Sequence, residues 1–364
     1  MSLDKDFIEI EEKVTANLDE LSISQVPGAQ YVVVNKDRAI FEYAGGFSDV
    51  KNQKLMDGQT TMMCYSLTKT FTAAAILQLV EQGKVELDKT VEEYCPALPY
   101  DRHITPRNLL SHTSGIPNPI PLKWAHLASE HTEFDEESAL DNLLAKHMLT
   151  KSKPGEKFLY SNLGYWLLGK IIEKVSGFSY PEYMKLNLLK QIGLFSADID
   201  FVINDNAKHA KGYLTKISFM NAFKFLLLDN KLIGKGESRW TTFNNHYVNG
   251  PAFGGLIGSA RSLSRFLYDQ LQDKPVIFSS DMKKLFFEQQ KTKDGSPINM
   301  TLGWHIKEEE GLKYYYKEGG GAGFKSEMRI YPDKGIGSII MVNRTKFNTA
   351  SVLNKTDAEF FRYG

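Results

Sequence analysis

Hydrophobic and polar positions follow two rhythms along this chain. Phe7, Ile8, Ile10 and Val14 recur among Asp4, Asp6, Glu9, Glu11 and Glu12 at helical spacing, which predicts an amphipathic helix over residues 1–20. Two β-rich runs follow at 30–35 and 39–43, parted by Lys36, Asp37 and Arg38 as in a hairpin. From about residue 66 to 290 the helical period takes over, with helices predicted at 70–82, 136–147, 162–175, 180–189, 262–271 and 280–287. The last third returns to strand-like runs at 302–307, 312–317, 324–331 and 335–342. Glu309-Glu310-Gly311 and Pro332-Asp333-Lys334-Gly335 supply turns, and a helix near 350–361 closes the chain.

Strands at both ends with helices between them predict an α+β fold. Its antiparallel sheet is formed by the N- and C-terminal segments and flanked by helices, with a helical region inserted. The expected division is 1–65 plus 291–364 for the sheet region and 66–290 for the helical region, as one continuous unit with the active site between them. A chain of 364 residues, with 42% hydrophobic residues and only 28 Gly and 13 Pro, excludes disordered, collagen-like and disulfide-scaffold classes. It can bury roughly three-quarters of its unfolded surface.

Charge narrows the partners. Lys+Arg and Asp+Glu balance at 44 each and no cationic cluster occurs, so nucleic acid and anionic membrane surfaces are not expected partners. The apolar runs at 73–80 and 223–228 are too short to span a bilayer. The N-terminus lacks the cationic start and apolar block of a signal peptide. The chain as it stands therefore reads as soluble and cytoplasmic, but its compartment stays open, since a trimmed export signal would leave the same sequence. Cys64 and Cys95 either pair or stay free as half-buried thiols.

Several familiar chemistries are missing. No Gly-x-Ser-x-Gly, Gly-x-Gly-x-x-Gly or phosphate loop occurs, and the eight histidines include no His-Glu-x-x-His. His126 and His131, five apart, would face different sides of a helix, so no metal is expected. His112, in Leu109-Leu110-Ser111-His112-Thr113-Ser114-Gly115, reads as a turn histidine bonded to its own backbone. Ser-x-x-Lys, which sets a nucleophile and a cation on one helix face, occurs four times, from Ser2, Ser48, Ser66 and Ser280. Only Ser66-Leu67-Thr68-Lys69 opens a helix with almost no polar face, in which Phe71, Ala73, Ala74, Ala75, Ile76, Leu79 and Val80 predict burial. Ser66 would then lie in the N-terminal turn, where the helix dipole favours developing oxyanion charge. Burial and like charge would turn Lys69 into a neutral base. An N-cap serine beside a surface lysine stays open at this point.

Two further segments complete a set. Pro154-Gly155-Glu156-Lys157-Phe158-Leu159-Tyr160-Ser161-Asn162 passes a turn and enters a helix, which places Tyr160 and Asn162 at a loop-to-helix corner. A second Tyr-x-Asn, Tyr247-Val248-Asn249, lacks that setting. Lys317-Glu318-Gly319-Gly320 ends a strand-like run where glycines admit a close backbone. In this order the three motifs resemble the serine β-lactamase and penicillin-binding protein superfamily, and its class C β-lactamase-like branch in particular. Residues 109–116, 160–165, 168–173 and 254–263 extend the resemblance over most of the chain.

That resemblance implies a β-lactamase-like fold and a serine hydrolase acting through a Ser66 acyl-enzyme on an ester, amide or peptide. Lys69 and Tyr160 would be the proton-transfer pair, and Asn162 a donor to the substrate. Lys317 would hold Tyr160 toward its phenolate, while Gly319 and Gly320 shape the edge where the substrate lies. The N–H groups of Ser66 and Gly320 would form the oxyanion hole. Glu318 departs from the pattern, standing where a Thr or Ser hydroxyl helps hold a substrate carboxylate, so weakened β-lactam specificity is expected. The implied partner is a small-molecule or peptide substrate, with no metal or organic cofactor and the oligomeric state left open. A non-catalytic penicillin-binding or peptide-sensing module and a DD-peptidase or transpeptidase are the alternatives.

Overall fold

The computed structural model describes residues 2–95, 98–119, 124–216, 229–309 and 311–364; the apolar run at 223–228 and the turn residue Glu310 lie outside them. Among the described residues the helices of eight residues or more are α1 Ser2–Ser24, α2 Thr68–Glu81, α3 Glu136–Lys146, α4 Asn162–Ser176, α5 Ala260–Leu271, α6 Ser280–Phe287 and α7 Thr349–Thr356. The main-sheet strands are β1 Gly28–Asn35, β2 Ala39–Asp49, β3 Lys54–Leu55, β4 His305–Glu309, β5 Leu312–Gly320, β6 Lys325–Tyr331 and β7 Ile336–Val342.

Among the described residues these strands form one antiparallel sheet in the order β4-β5-β6-β7-β1-β2-β3. The N- and C-terminal segments meet at its centre, where Val32 faces Ile339 and Tyr31 faces Ile340. Every residue of β1 and β7 is buried, because both faces of the sheet are covered. On one face Val14 and Leu18 of α1 and Leu353 of α7 join Tyr31, Val33, Ile336 and Ile340. On the other, Leu263, Phe266 and Leu267 of α5 join Val32, Val34 and Ile339, and this larger core continues into the helical region. There α2 is buried from Thr68 to Leu79, polar residues included.

Several expected boundaries move. The strand expected from 302 starts at His305, because Gly303 takes a φ of 112° in a turn that returns Thr301 N–H to the Trp304 carbonyl. The helix expected over 180–189 is α-helical only at Tyr180–Met184 and widens to a π-turn at Lys185–Leu189. The closing helix tightens after Thr356 into a 3-10 stretch, Asp357–Tyr363. Cys64 and Cys95 are both free. Among the described residues no helix is long and apolar enough to cross a membrane.

Candidate active site

The chain reaches Ser66 through a 3-10 turn, Tyr65–Leu67, and α2 begins only at Thr68, so Ser66 stands just ahead of the helix and Lys69 inside it. Tyr65 holds a φ of 47°, a left-handed conformation unusual for a bulky residue. Its hydroxyl donates to the Ala322 carbonyl at 2.8 Å and lies 3.1 Å from His246 Nε2, which ties the turn across the cleft. Ser66 Oγ lies 2.9 Å from Lys69 Nζ and accepts a 2.9 Å hydrogen bond from the Tyr160 hydroxyl. Lys69 Nζ is also 2.7 Å from Asn162 Oδ1 and 2.7 Å from the Phe253 carbonyl. Three of the expected site residues therefore meet at one oxygen, and Asn162 joins them through Lys69.

The remaining Ser-x-x-Lys serines with described side chains do other work. Ser48 Oγ donates to the carbonyls of Lys54 and Leu55, and Ser280 Oγ donates to that of Asp273.

Burial governs the protons of this cluster. Lys69 is fully buried, and desolvation, aided by the neighbouring Lys317, holds its amine well below the usual lysine value. A neutral amine has two N–H groups and one lone pair. With the N–H groups directed to Asn162 Oδ1 and the Phe253 carbonyl, the lone pair faces Ser66 Oγ. Lys317, also fully buried, has its Nζ without a hydrogen-bond partner among the described residues, and burial brings it down to about 7.

The expectation that Lys317 holds Tyr160 toward phenolate is therefore corrected. Burial raises the Tyr160 phenol well above its ordinary value, and the hydrogen bond to Ser66 offsets only part of that rise. Burial outweighs what lowers it, so Tyr160 rests as a neutral donor.

The third motif divides by strand alternation. Lys317 is buried with its Nζ 5.5 Å from the Tyr160 ring centroid, whereas the next residue, Glu318, is exposed and ion-paired with Lys325. Gly319 serves packing, since a Cβ there would come within 2.1 Å of the Cys64 carbonyl oxygen. That approach brings β5 against the turn carrying Ser66. Gly320 is exposed and borders the cleft with Ser66.

A loop absent from the expected site holds the second motif in place. The Ser161 N–H donates to His112 Nδ1 at 3.2 Å, and Ser161 Oγ donates to the Pro117 carbonyl at 3.2 Å. Asn118 Oδ1 accepts from both the backbone N–H and the side-chain amide of Asn162, each at 3.1 Å, which turns Asn162 Oδ1 toward Lys69. His112 is thus bonded across to residue 161, and the reading of it as a self-bonded turn histidine is corrected. His126 and His131 are not on one helix either. The chain bends between them and sets His126 Nε2 2.9 Å from His131 Nδ1. Among the described residues no group of three or more metal-ligating side chains occurs. Tyr247-Val248-Asn249 forms a cleft wall through Val248, and its Asn249 Oδ1 lies 3.0 Å from His126 Nδ1.

The cleft beside Ser66 has a volume of about 80 Å³, and Tyr65, Trp124, Leu232, Val248, Phe253 and Ala322 make most of its wall apolar. A larger groove of about 790 Å³ lies elsewhere, along Arg38, Arg261 and Arg265. Its serines are engaged in backbone contacts: Ser262 Oγ donates to the Asp198 carbonyl and Ser264 Oγ to that of Arg261.

Known proteins resemble this chain along nearly its whole length. The family described as Beta-lactamase matches residues 12–360. Penicillin-binding protein 4* of Bacillus subtilis (strain 168) is 26% identical over 298 residues, which is 81% of this chain and 63% of that protein. The chain thus spans less than two-thirds of that relative. The octameric penicillin-binding protein homologue from Pyrococcus abyssi superposes with a TM-score of 0.77 at 25% identity, over 97% of this chain and 77% of its own. The D-amino acid amidase from Ochrobactrum anthropi SV3 gives 0.78 at 18% identity, over 97% of this chain and 99% of that one, a likeness of fold.

Proposed function

This chain belongs to the Beta-lactamase family and has its α+β fold, and from that premise we propose that it is a serine hydrolase working through an acyl-enzyme on Ser66. The observation that carries this reading is the single oxygen, Ser66 Oγ, at 2.9 Å from both Lys69 Nζ and the Tyr160 hydroxyl. Ser66 Oγ attacks the acyl carbon and passes its proton to the neutral Lys69. The N–H groups of Ser66 and Gly320 receive the oxyanion of the tetrahedral intermediate. Tyr160 gives its proton to the departing oxygen or nitrogen and recovers one from Lys69. Water then attacks the acyl-enzyme, the same pair carries its proton back to Ser66, and the acid leaves.

The cleft wall supports a substrate class. Its apolar lining and the ion-paired Glu318 favour an uncharged ester or amide with an apolar acyl group. Intact mass after treatment with a fluorophosphonate should show one adduct, absent in Ser66→Ala. Labelling retained in Ser66→Ala would refute the assignment.

A further inference from the structure

Three contacts join His112 to the segment that carries Tyr160. The His112 carbonyl accepts the Leu159 N–H at 2.7 Å, its Nδ1 accepts the Ser161 N–H at 3.2 Å, and its ring lies 4.3 Å from the Tyr160 ring, centroid to centroid, inclined by 39°. One residue therefore grips both neighbours of Tyr160 and one face of the phenol. An accepting Nδ1 carries no proton, so the neutral ring holds its hydrogen on Nε2. That Nε2 is buried and has no partner among the described residues, a cost that a hydrocarbon ring would avoid. The His112 backbone is left-handed, with φ of 58°, a region where His and Asn are far commoner than bulky hydrocarbon residues. Packing alone thus gives no reason for a histidine at this position, whereas an acceptor aimed at residue 161 does.

We propose that His112 is a positioning residue for Tyr160, holding the phenol hydroxyl on Ser66 Oγ through the acceptor pair that brackets it. The proposal rests on the reading of Tyr160 as the proton relay. Protonation of Nδ1 would set an N–H against the Ser161 N–H and release the bracket. Burial, with Lys317, Lys69 and His305 acting in the same direction, keeps the ring neutral and the acceptor in place.

Two substitutions separate an acceptor from a packing element. His112→Asn keeps a side-chain acceptor near Nδ1 and suits the left-handed backbone but loses the ring. His112→Phe keeps the ring and loses the acceptor. Steady-state hydrolysis of p-nitrophenyl butyrate should show His112→Asn within about fivefold of the natural kcat. His112→Phe should lose thirtyfold or more in kcat, with KM changed less than threefold. The reverse order, or equal losses in both, would overturn the proposal. A measurement on the natural protein guards against misfolded variants: long-range ¹H–¹⁵N spectra should show the His112 ring protonated on Nε2 alone at neutral pH, and an Nδ1-protonated ring would also overturn it. The tautomer result does not depend on the nucleophile: failure of fluorophosphonate labelling at Ser66 would refute the hydrolase reading and leave the tautomer result standing by itself.

Discussion

Lys69 and Lys317 lie 5.1 and 5.5 Å from the centroid of the Tyr160 ring, and both are cut off from water. For Lys317 the consequence is measurable. Burial brings its folded value down to about 7, from 10.5 for an unperturbed lysine, so between those values the unfolded chain binds more protons than the folded one. Stability from this group therefore rises with pH across that window. The penalty is full below about 7, roughly 4 to 5 kcal/mol, and gone above about 10.5. Lys317→Met should be more stable than the natural protein in urea at pH 7, and the gap should shrink by pH 10. A gap that does not change with pH would mean that Lys317 does not titrate in this range. Glu318 demands a different argument. Exposed on the strand face opposite to Lys317 and paired with Lys325, whose stem would meet a Cβ at Gly320 at 3.2 Å, it is a neutralised couple and not a bare carboxylate. The missing hydroxyl, of order 1 kcal/mol, is then expected to outweigh repulsion in any loss of affinity for anionic β-lactams. Glu318→Thr should raise nitrocefin acylation about five- to tenfold, and Lys325→Met, which unmasks Glu318, should lower it, with p-nitrophenyl butyrate hydrolysis nearly unchanged in both. An unaffected nitrocefin rate in Lys325→Met would show that the pair is not felt in the cleft.

At the level of elements, the site depends on how closely β5 can approach the turn before α2. Gly319 permits the approach, and the Cβ of an alanine there would overlap the Cys64 carbonyl, a backbone atom with nowhere to go. Gly319→Ala should cost about 1 to 3 kcal/mol of stability as an overpacked contact and lower kcat a hundredfold or more by shifting Lys317 and Gly320. Gly320→Ala meets the flexible Lys325 stem and, at an ordinary 3.9 Å, the Phe324 carbonyl oxygen, and should leave the melting temperature nearly unchanged. Equal melting temperatures for the two variants would contradict this. These contacts also show what could be read from sequence. The Ser66–Lys69 pair was legible because i,i+3 spacing at the mouth of an apolar helix brings the two together and buries Lys69. The main strands were legible as β-rich runs, and their joining into one antiparallel sheet from the matching texture of the two ends. The grip of residues 110–118 on the Tyr160 segment was not, since it runs through backbone groups and side chains such as Asn118 that become neighbours only in the folded chain. The protonation of Tyr160 was misjudged for a related reason: charges can be counted along a sequence, but the desolvation that outweighs them cannot.

Across the whole molecule, the face of the sheet turned away from the cleft is locked by buried polar groups from both ends of the chain. Asp357, fully buried after α7, accepts from Tyr31 of β1 at 2.7 Å, from Tyr331 of β6 at 2.7 Å and from Ser338 of β7 at 2.8 Å. Beside it Arg329 bonds Glu327 at 2.7 Å, both about 1% exposed, and donates to Tyr331 and Asn354. One carboxylate thus joins three strands drawn from opposite ends of the chain, and none of these groups touches Ser66, Lys69 or Tyr160. Such pairings close long loops before they return any contact energy, which makes this sheet a slow-forming element whose lock matters to folding more than to chemistry. Asp357→Ala deletes the acceptor of three buried hydroxyls, each worth about 1 kcal/mol or more when left unpaired. It should lower unfolding free energy by roughly 3 kcal/mol or more and the melting temperature by several degrees. Below the transition, however, the rate of fluorophosphonate labelling at Ser66 should match that of the natural protein, because the cleft is lined from the opposite face of the sheet. A variant that keeps its melting temperature but labels slowly would show that the lock reaches through the sheet to the nucleophile, and the separation of scaffold from chemistry drawn here would fail.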